Sequence, residues 1–288
     1  MQNRVLFVRQ DSEYLYYRSE GPGNDVSDSD LIREYFNLRI GLKDLYADWL
    51  KRDPSHFENV HLGVRILNQD PWETLCAFIC SSNNNIKRIS KMVEALCTEY
   101  GNHVATIDGH AYHDFPTPKQ LAKSPEETEQ TLRSLGFGYR AKYIAQTATR
   151  MLELPEDHLL TLRFASTEEA VNSLLEFSGV GPKVADCVAL MSLSKHDIVP
   201  IDTHMYQIAS RDYRLKVTQG ARGYKDVQTK LKGIWGDYAG WAHSVLFAGD
   251  LPDLKAIKRP QEDLVPLSKQ PKLEAIEVRP ENAIKLEA

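Results

Sequence analysis

A mainly helical protein with a short β segment at its start is the fold class that this 288-residue sequence predicts. Three observations carry that expectation. Two early runs, RVLFVRQ and EYLYYRS, are dense in β-branched and aromatic residues. From LIREYFNL almost to Asp250, apolar residues recur at helical spacing between glycine and proline stops. Beyond Asp250 that pattern gives way to prolines and mixed charge. The expected division is a β remnant over 1–24, a helical domain over 25–251 and a disordered tail over 252–288.

The elements follow in order. The segment QDSE can turn the chain between the two β runs, and GPGNDVSDSD ends in residues that suit a helix cap. SPEETEQTLRSLG begins with a Ser-x-x-Glu pattern, Ser124 to Glu127, which predicts a capping box, and it stops at Gly136. GYRAKYIAQTATRMLEL and TEEAVNSLLEFSG read as helices, and so do GYKDVQTKLKGIWG and YAGWAHSVLFAGDL. Hydrophobic residues make up 42% of the chain, enough for a sizeable core. No apolar run approaches the roughly 20 residues of a membrane span. The start lacks a basic region followed by an apolar one, so the expected compartment is intracellular.

Composition excludes some chemistry. The four cysteines, Cys76, Cys80, Cys97 and Cys187, are too scattered for a disulfide framework or a zinc cluster. The formal net charge of −5 argues mildly against a nucleic-acid partner, although an average can hide a basic face.

The stretch from Leu175 to Arg211 holds the candidate chemistry. A hairpin of two helices, about 170–193, turns at SGVGPK. Gly179 and Gly181 allow left-handed backbone and close approach, and Pro182 suits a first helical turn. Free N–H groups at such a helix start can hold a phosphate. Lys183 sits in that first turn, where the helix field and partial burial would lower an amine's pKa. It reads either as a Schiff-base nucleophile or as a phosphate contact. Asp202 opens THMYQIASR and reads as an N-cap, as a carboxylate stabilising positive charge, or as both.

These residues resemble the helix-hairpin-helix DNA glycosylases, most closely the eukaryotic 8-oxoguanine DNA glycosylase/AP lyases. GVGPKVADCVALM and VPIDTHMYQIASRDY carry the hairpin, lysine and aspartate. CSSNNNIKRI, LGFGYRAKYI and YAGWAHSVLFAGDL match in the same order, so the likeness runs from about Val5 to Leu251. The resemblance implies that Lys183 is the Schiff-base lysine and Asp202 the essential aspartate. It implies that Gly179, Val180 and Gly181 bind the DNA backbone, and that the carbonyls of Leu175, Phe177 and Val180 take a structural cation. Cys187 and Phe247 would sandwich an extruded base, with Met191, Pro200 and His204 around it. Asn83, Arg88, Tyr139 and Arg140 would hold the orphaned cytosine and wedge the stack, although Asn83 to Asn85 could simply cap a helix and Tyr139 could be core.

Two departures from the family pattern matter. His243 stands where the family has a glutamine that reads the base, so it alters recognition or merely fills space. An earlier β-rich segment has no counterpart before Met1, which predicts exposed sheet edges and poor solubility. The implied activity is removal of 8-oxoguanine opposite cytosine followed by β-elimination. Alternatives are another base preference or a non-catalytic DNA-binding module. The expected partner is damaged double-stranded DNA, bound by a monomer away from membranes, with no cofactor and no catalytic metal. The expected location is the nucleus, with the mitochondrion as a second.

Overall fold

The computed structural model describes residues 3–11, 13–23, 26–60, 63–216, 218, 220–250 and 282–286. Two strands, β1 (Val5–Gln10) and β2 (Tyr14–Glu20), pair antiparallel with Val5 opposite Glu20 and Gln10 opposite Leu15. Inward alternation along β2 buries Leu15 and Tyr17. They pack with Ile32 of α1 (Asp28–Tyr35), a helix capped by the Ser27 side chain on the Asp30 N–H.

The fourth member of this small core is Ile284, from β5 (Ala283–Lys285). β5 pairs antiparallel with β2, giving a sheet ordered β1-β2-β5. The expectation of a disordered 252–288 therefore fails at these residues, because an apolar side chain there fills a core position. The rest of that tail, save Asn282 and Leu286, lies outside the described residues. The expected bare hairpin is found only in part: β5 pairs with Tyr14–Tyr16 of β2 and α1 packs on its apolar face, while β1 stays the edge strand of the described sheet.

Helices form the rest, with one interruption. After α2 (Leu42–Arg52) and the single turn α3 (Pro54–Phe57) come α4 (Pro71–Ser81) and α5 (Ile86–Tyr100). A second hairpin follows, β3 (His103–Ile107) and β4 (His110–His113), where the sequence predicts helix. Asp108 and Gly109 form its two-residue turn, both with positive φ (51° and 78°). Asp-Gly between alternating residues is a recognised signal for that geometry.

Next come α6 (Pro118–Leu121), α7 (Pro125–Ser134), α8 (Arg140–Leu152), α9 (His158–Thr161) and α10 (Thr167–Leu175). Ser124 does precede α7, but its side chain makes no capping bond, so the capping box predicted there is absent. Boxes form instead at Thr117 and Gln120, ahead of α6, and at Ser166 and Glu169, ahead of α10. The helical part ends with α11 (Pro182–Ser192), α12 (Thr203–Arg211), α13 (Ala221–Trp235) and α14 (Ala239–Asp250).

Trp49, Trp235, Trp241 and Phe137 are fully buried in the helical core. α11 and α14 are apolar around most of their circumference, which suits helices enclosed by others. No described helix is long and apolar enough to cross a membrane.

Candidate active site

The site is built on the N-terminal half of α11, the start of α12 and the length of α14. Gly181 caps α11 and Pro182 opens it, which fixes Lys183 in the first turn. Spacing by four then puts Lys183, Cys187 and Met191 along one stripe of the helix. The Lys183 amine acts on the Cys187 thiol electrostatically and lies 5.1 Å from the centre of the Phe78 ring. Burial nevertheless pushes the Cys187 thiol up to about 12, against the pull of Lys183, so its sulfur stays protonated and soft.

Asp202 is the N-cap of α12 and accepts the Met205 N–H at 2.9 Å. The cap leaves the carboxylate able to act elsewhere. Lys183, Asp202 and His204 all act electrostatically on the His243 ring, and Lys183 and Asp202 act together on Cys187. The lysine and the aspartate, both half-buried, therefore lie close to the same two side chains, Cys187 and His243, although a helix and a loop separate them in the chain.

The opposite wall comes from α14. His243 is enclosed, and its Nδ1 has no hydrogen-bond partner among the described residues. Burial drives its pKa down to about 4, so the ring is neutral near pH 7. Phe247, one turn on, lies 5.9 Å from the His243 ring and edge-on to His204 at 5.2 Å. The His204 Nε2 is 2.9 Å from an Asp250 carboxylate oxygen, out of hydrogen-bond alignment. Pro200 is buried, and Met191 is half-buried against the helical core.

The residues expected to meet duplex DNA form a second group. The three asparagines divide their work. Asn85 caps α5 on the Arg88 N–H, and Asn84 donates to the Cys80 carbonyl. Asn83 stays exposed, in a left-handed turn with φ of 47°. Tyr139 is 48% exposed, which removes the core reading, and its hydroxyl donates to the Ser82 carbonyl at 3.1 Å. Arg88 is exposed and reaches the Gly136 carbonyl at 2.8 Å.

Arg140 differs from its expected place on a DNA-facing surface. It is buried, stacks on the Tyr139 ring at 4.5 Å, and donates to the carbonyls of Ser82 and Asn83. Its guanidinium holds the Asn83 turn because that turn leaves two carbonyls without helical partners.

The hairpin packs against the same group. Gly179 has φ of 80°, and a Cβ there would meet the Tyr143 ring at 2.5 Å. Tyr143 in turn contacts Tyr139, with ring centres 5.8 Å apart. The Phe177 carbonyl accepts the Val180 N–H at 3.2 Å. The resemblance expects it to join the Leu175 and Val180 carbonyls around a cation, since neutral oxygens are what a hard cation takes. No described cluster of His, Cys, Asp and Glu could hold a metal ion.

Sequence reasoning missed Phe78 and Tyr143. Each reads as an ordinary apolar position on its helix, and nothing in the spacing marks the first as the floor beneath an amine or the second as the seat of a glycine turn.

Comparison with known proteins accounts for most of the chain. Residues 1–75 match the model of the 8-oxoguanine DNA glycosylase N-terminal domain, and residues 76–237 match that of the HhH-GPD superfamily of base excision DNA repair proteins. A protein of Saccharomyces cerevisiae described as N-glycosylase/DNA lyase is 39% identical over 281 residues, covering 86% of this chain and 74% of the relative. A solved structure described as MBOgg1 in complex with a low-affinity DNA ligand superposes with a TM-score of 0.75 at 33% identity, covering 85% of this chain and 81% of that one. The Clostridium acetobutylicum 8-oxoguanine glycosylase/lyase, solved with duplex DNA carrying cytosine opposite 8-oxoguanine, gives 0.71 at 29% identity, covering 83% and 79%. The hairpin, its lysine and the capping aspartate thus stand in a chain that belongs to the HhH-GPD superfamily of base excision DNA repair proteins, in its 8-oxoguanine glycosylase branch.

Proposed function

We propose that this protein excises 8-oxoguanine opposite cytosine from duplex DNA and then nicks the strand. The observation that supports the mechanism is that Lys183 and Asp202 both lie near Cys187 and His243, with Phe247 packed against the His243 ring. The nucleotide leaves the duplex, and its base slots between the Cys187 sulfur and the ring of Phe247.

The Lys183 amine attacks C1′ of the sugar. The new C–N bond forms as the glycosidic bond breaks, and the departing base takes up a proton. Asp202, fixed by its cap, stabilises the positive charge that develops on the sugar ring. The nitrogen then loses a proton and the C1′–O4′ bond breaks, with O4′ taking up a proton, which opens the sugar and gives the Schiff base; removal of a C2′ proton expels the 3′ phosphate by β-elimination and breaks the strand on the 3′ side. Asn83, Arg88 and Tyr139 face the gap left by the flipped base, while Arg140 keeps their turn in shape.

Borohydride trapping tests the assignment. The native protein is expected to form a covalent adduct with a duplex carrying 8-oxoguanine opposite cytosine. Lys183→Gln is expected to form none. An adduct of equal yield from Lys183→Gln would sink the lysine assignment.

His243 favours a second reading, in which the preferred base differs. A neutral imidazole offers one donor and one acceptor, where a glutamine amide offers two donors and a carbonyl. Cleavage of duplexes pairing 8-oxoguanine or an alkylated purine with each of the four bases separates the two readings.

A further inference from the structure

A buried acid that the mechanism does not use lies one helical turn beyond Lys183. Asp186 is 3% exposed on α11, next to Cys187. The Tyr224 hydroxyl donates to its Oδ2 at 2.5 Å, and the Gln228 amide donates to the same oxygen at 2.6 Å. Both partners come from α13 and lie four residues apart, so they share one face of that helix.

Each partner also reaches the loop that delivers Asp202. The Tyr224 oxygen accepts the Ile201 N–H at 3.1 Å, and Gln228 donates to the Val199 carbonyl at 3.1 Å. Ile201 immediately precedes Asp202. Three segments distant in the chain are therefore tied at one carboxylate: the helix bearing the lysine, the loop bearing the aspartate, and α13 as the brace. Burial makes the carboxylate costly, and its pKa rises to about 6 despite both hydrogen bonds. Gln228 spans the carboxylate and the loop with one nitrogen, and Tyr224 spans them with one oxygen, so each works as a bridge.

We propose that Asp186, Tyr224 and Gln228 are positioning residues that set the separation of Lys183 and Asp202 for base excision. This inference rests on the assignment of those two residues as nucleophile and stabilising carboxylate. The base-release step needs both groups aligned at the sugar. Schiff-base formation at a site that has already lost its base leans on the lysine more than on the carboxylate. Disturbing the tether therefore slows the first step more than the second.

The test uses the full chain with Tyr224→Phe, which removes one oxygen and keeps the ring, and with Gln228→Met. Single-turnover base release at saturating protein is expected to fall about tenfold or more, since small misplacements of reacting groups carry large rate penalties. Duplex affinity and borohydride trapping on an abasic-site duplex are expected to change less than about twofold, within what uniform binding allows. Asp186→Asn, which keeps the shape and one acceptor oxygen, is expected to retain more base release than Asp186→Ala.

Unchanged base release in both the Tyr224 and the Gln228 variants would overturn the tether. So would parallel loss of base release, trapping and thermal stability, which marks a purely structural role. Absence of trapping by the native protein would instead overturn the lysine assignment beneath it.

Discussion

Asp202 caps α12, and substitution can separate that bond from the charge-stabilising role proposed for it. Asparagine caps a helix as well as aspartate does, but carries no charge. Asp202→Asn should therefore keep its bond to the Met205 N–H and lose base release by about a hundredfold or more, the scale of a lost electrostatic stabiliser. Asp202→Ala should lose base release to a similar extent and in addition about 1 kcal/mol of stability with the cap. Urea unfolding beside single-turnover kinetics checks both; equal rates for native protein and Asp202→Asn would leave Asp202 a cap alone. His243 makes a prediction in pH. Its pKa is about 4 in the fold, because burial disfavours the charged ring. An imidazole depressed in this way contributes fully above its unfolded value near 6.5 and is lost as pH falls towards 4. Asp186, raised to about 6, has the opposite sign: its support is present below the unfolded carboxyl value and is lost as pH rises through 6. Between pH 4 and 6 the two oppose one another. His243→Gln removes one of them, so the variant should gain on the native protein as pH falls from 6.5 to 4, by on the order of 3 kcal/mol. Thermal midpoints across that range decide it, and a constant difference would contradict the buried neutral ring.

At the scale of elements, the two hairpin glycines should fail differently. Gly179 is left-handed and seated on the Tyr143 ring, so Gly179→Ala meets both backbone strain and a clash. It should cost about 1–3 kcal/mol of stability and disturb DNA binding through the misplaced hairpin. Gly181 has an ordinary extended backbone, and a Cβ there meets nothing within 4 Å. Gly181→Ala should leave the thermal midpoint almost unchanged. If the hairpin binds the DNA backbone, it should still weaken duplex affinity, because a methyl group would then stand in the way of a phosphate at the α11 N-terminus. Loss of stability in Gly181→Ala, or full stability in Gly179→Ala, would reverse the assignments. The same scale shows what can be read in advance. The helices around Lys183 and Asp202 are legible because caps, proline and periodicity agree there. The β3–β4 hairpin escapes that reading although Asp108-Gly109 announces it, since helical spacing on both sides outweighs one dipeptide. The burial of Arg140 is not legible. A guanidinium beside a tyrosine reads as a surface pair, and only the fold brings the Ser82 and Asn83 carbonyls beneath it.

For the whole molecule, the least legible contact is the one between the chain's distant parts. Ala283–Lys285 is three residues long and sits among prolines and charges, so no local pattern marks it as a strand. What defines it is a need elsewhere: β2 requires a partner, and Leu15, Tyr17 and Ile32 require a fourth apolar side chain. Ile284 is 1% exposed in that position. Removal of residues 282–288 should uncover this small core and cost about 1.5–3 kcal/mol, the worth of one fully buried aliphatic side chain. Hydrogen exchange should quicken along β2 while α11 to α14 remain protected. Uniform loss of protection would mean that the sheet and the helical core unfold as one unit.

That pairing also imposes an order on folding during synthesis. Chains emerge from the ribosome beginning at the N-terminus, at about 5–20 residues per second. β2 is finished at Glu20, but its partner strand begins at Ala283. The edge of β2 therefore waits out the translation of the whole helical domain, some tens of seconds at that rate, before its last neighbour exists. The nascent protein can assemble its helical core and hairpin while its first sheet is still open on one side.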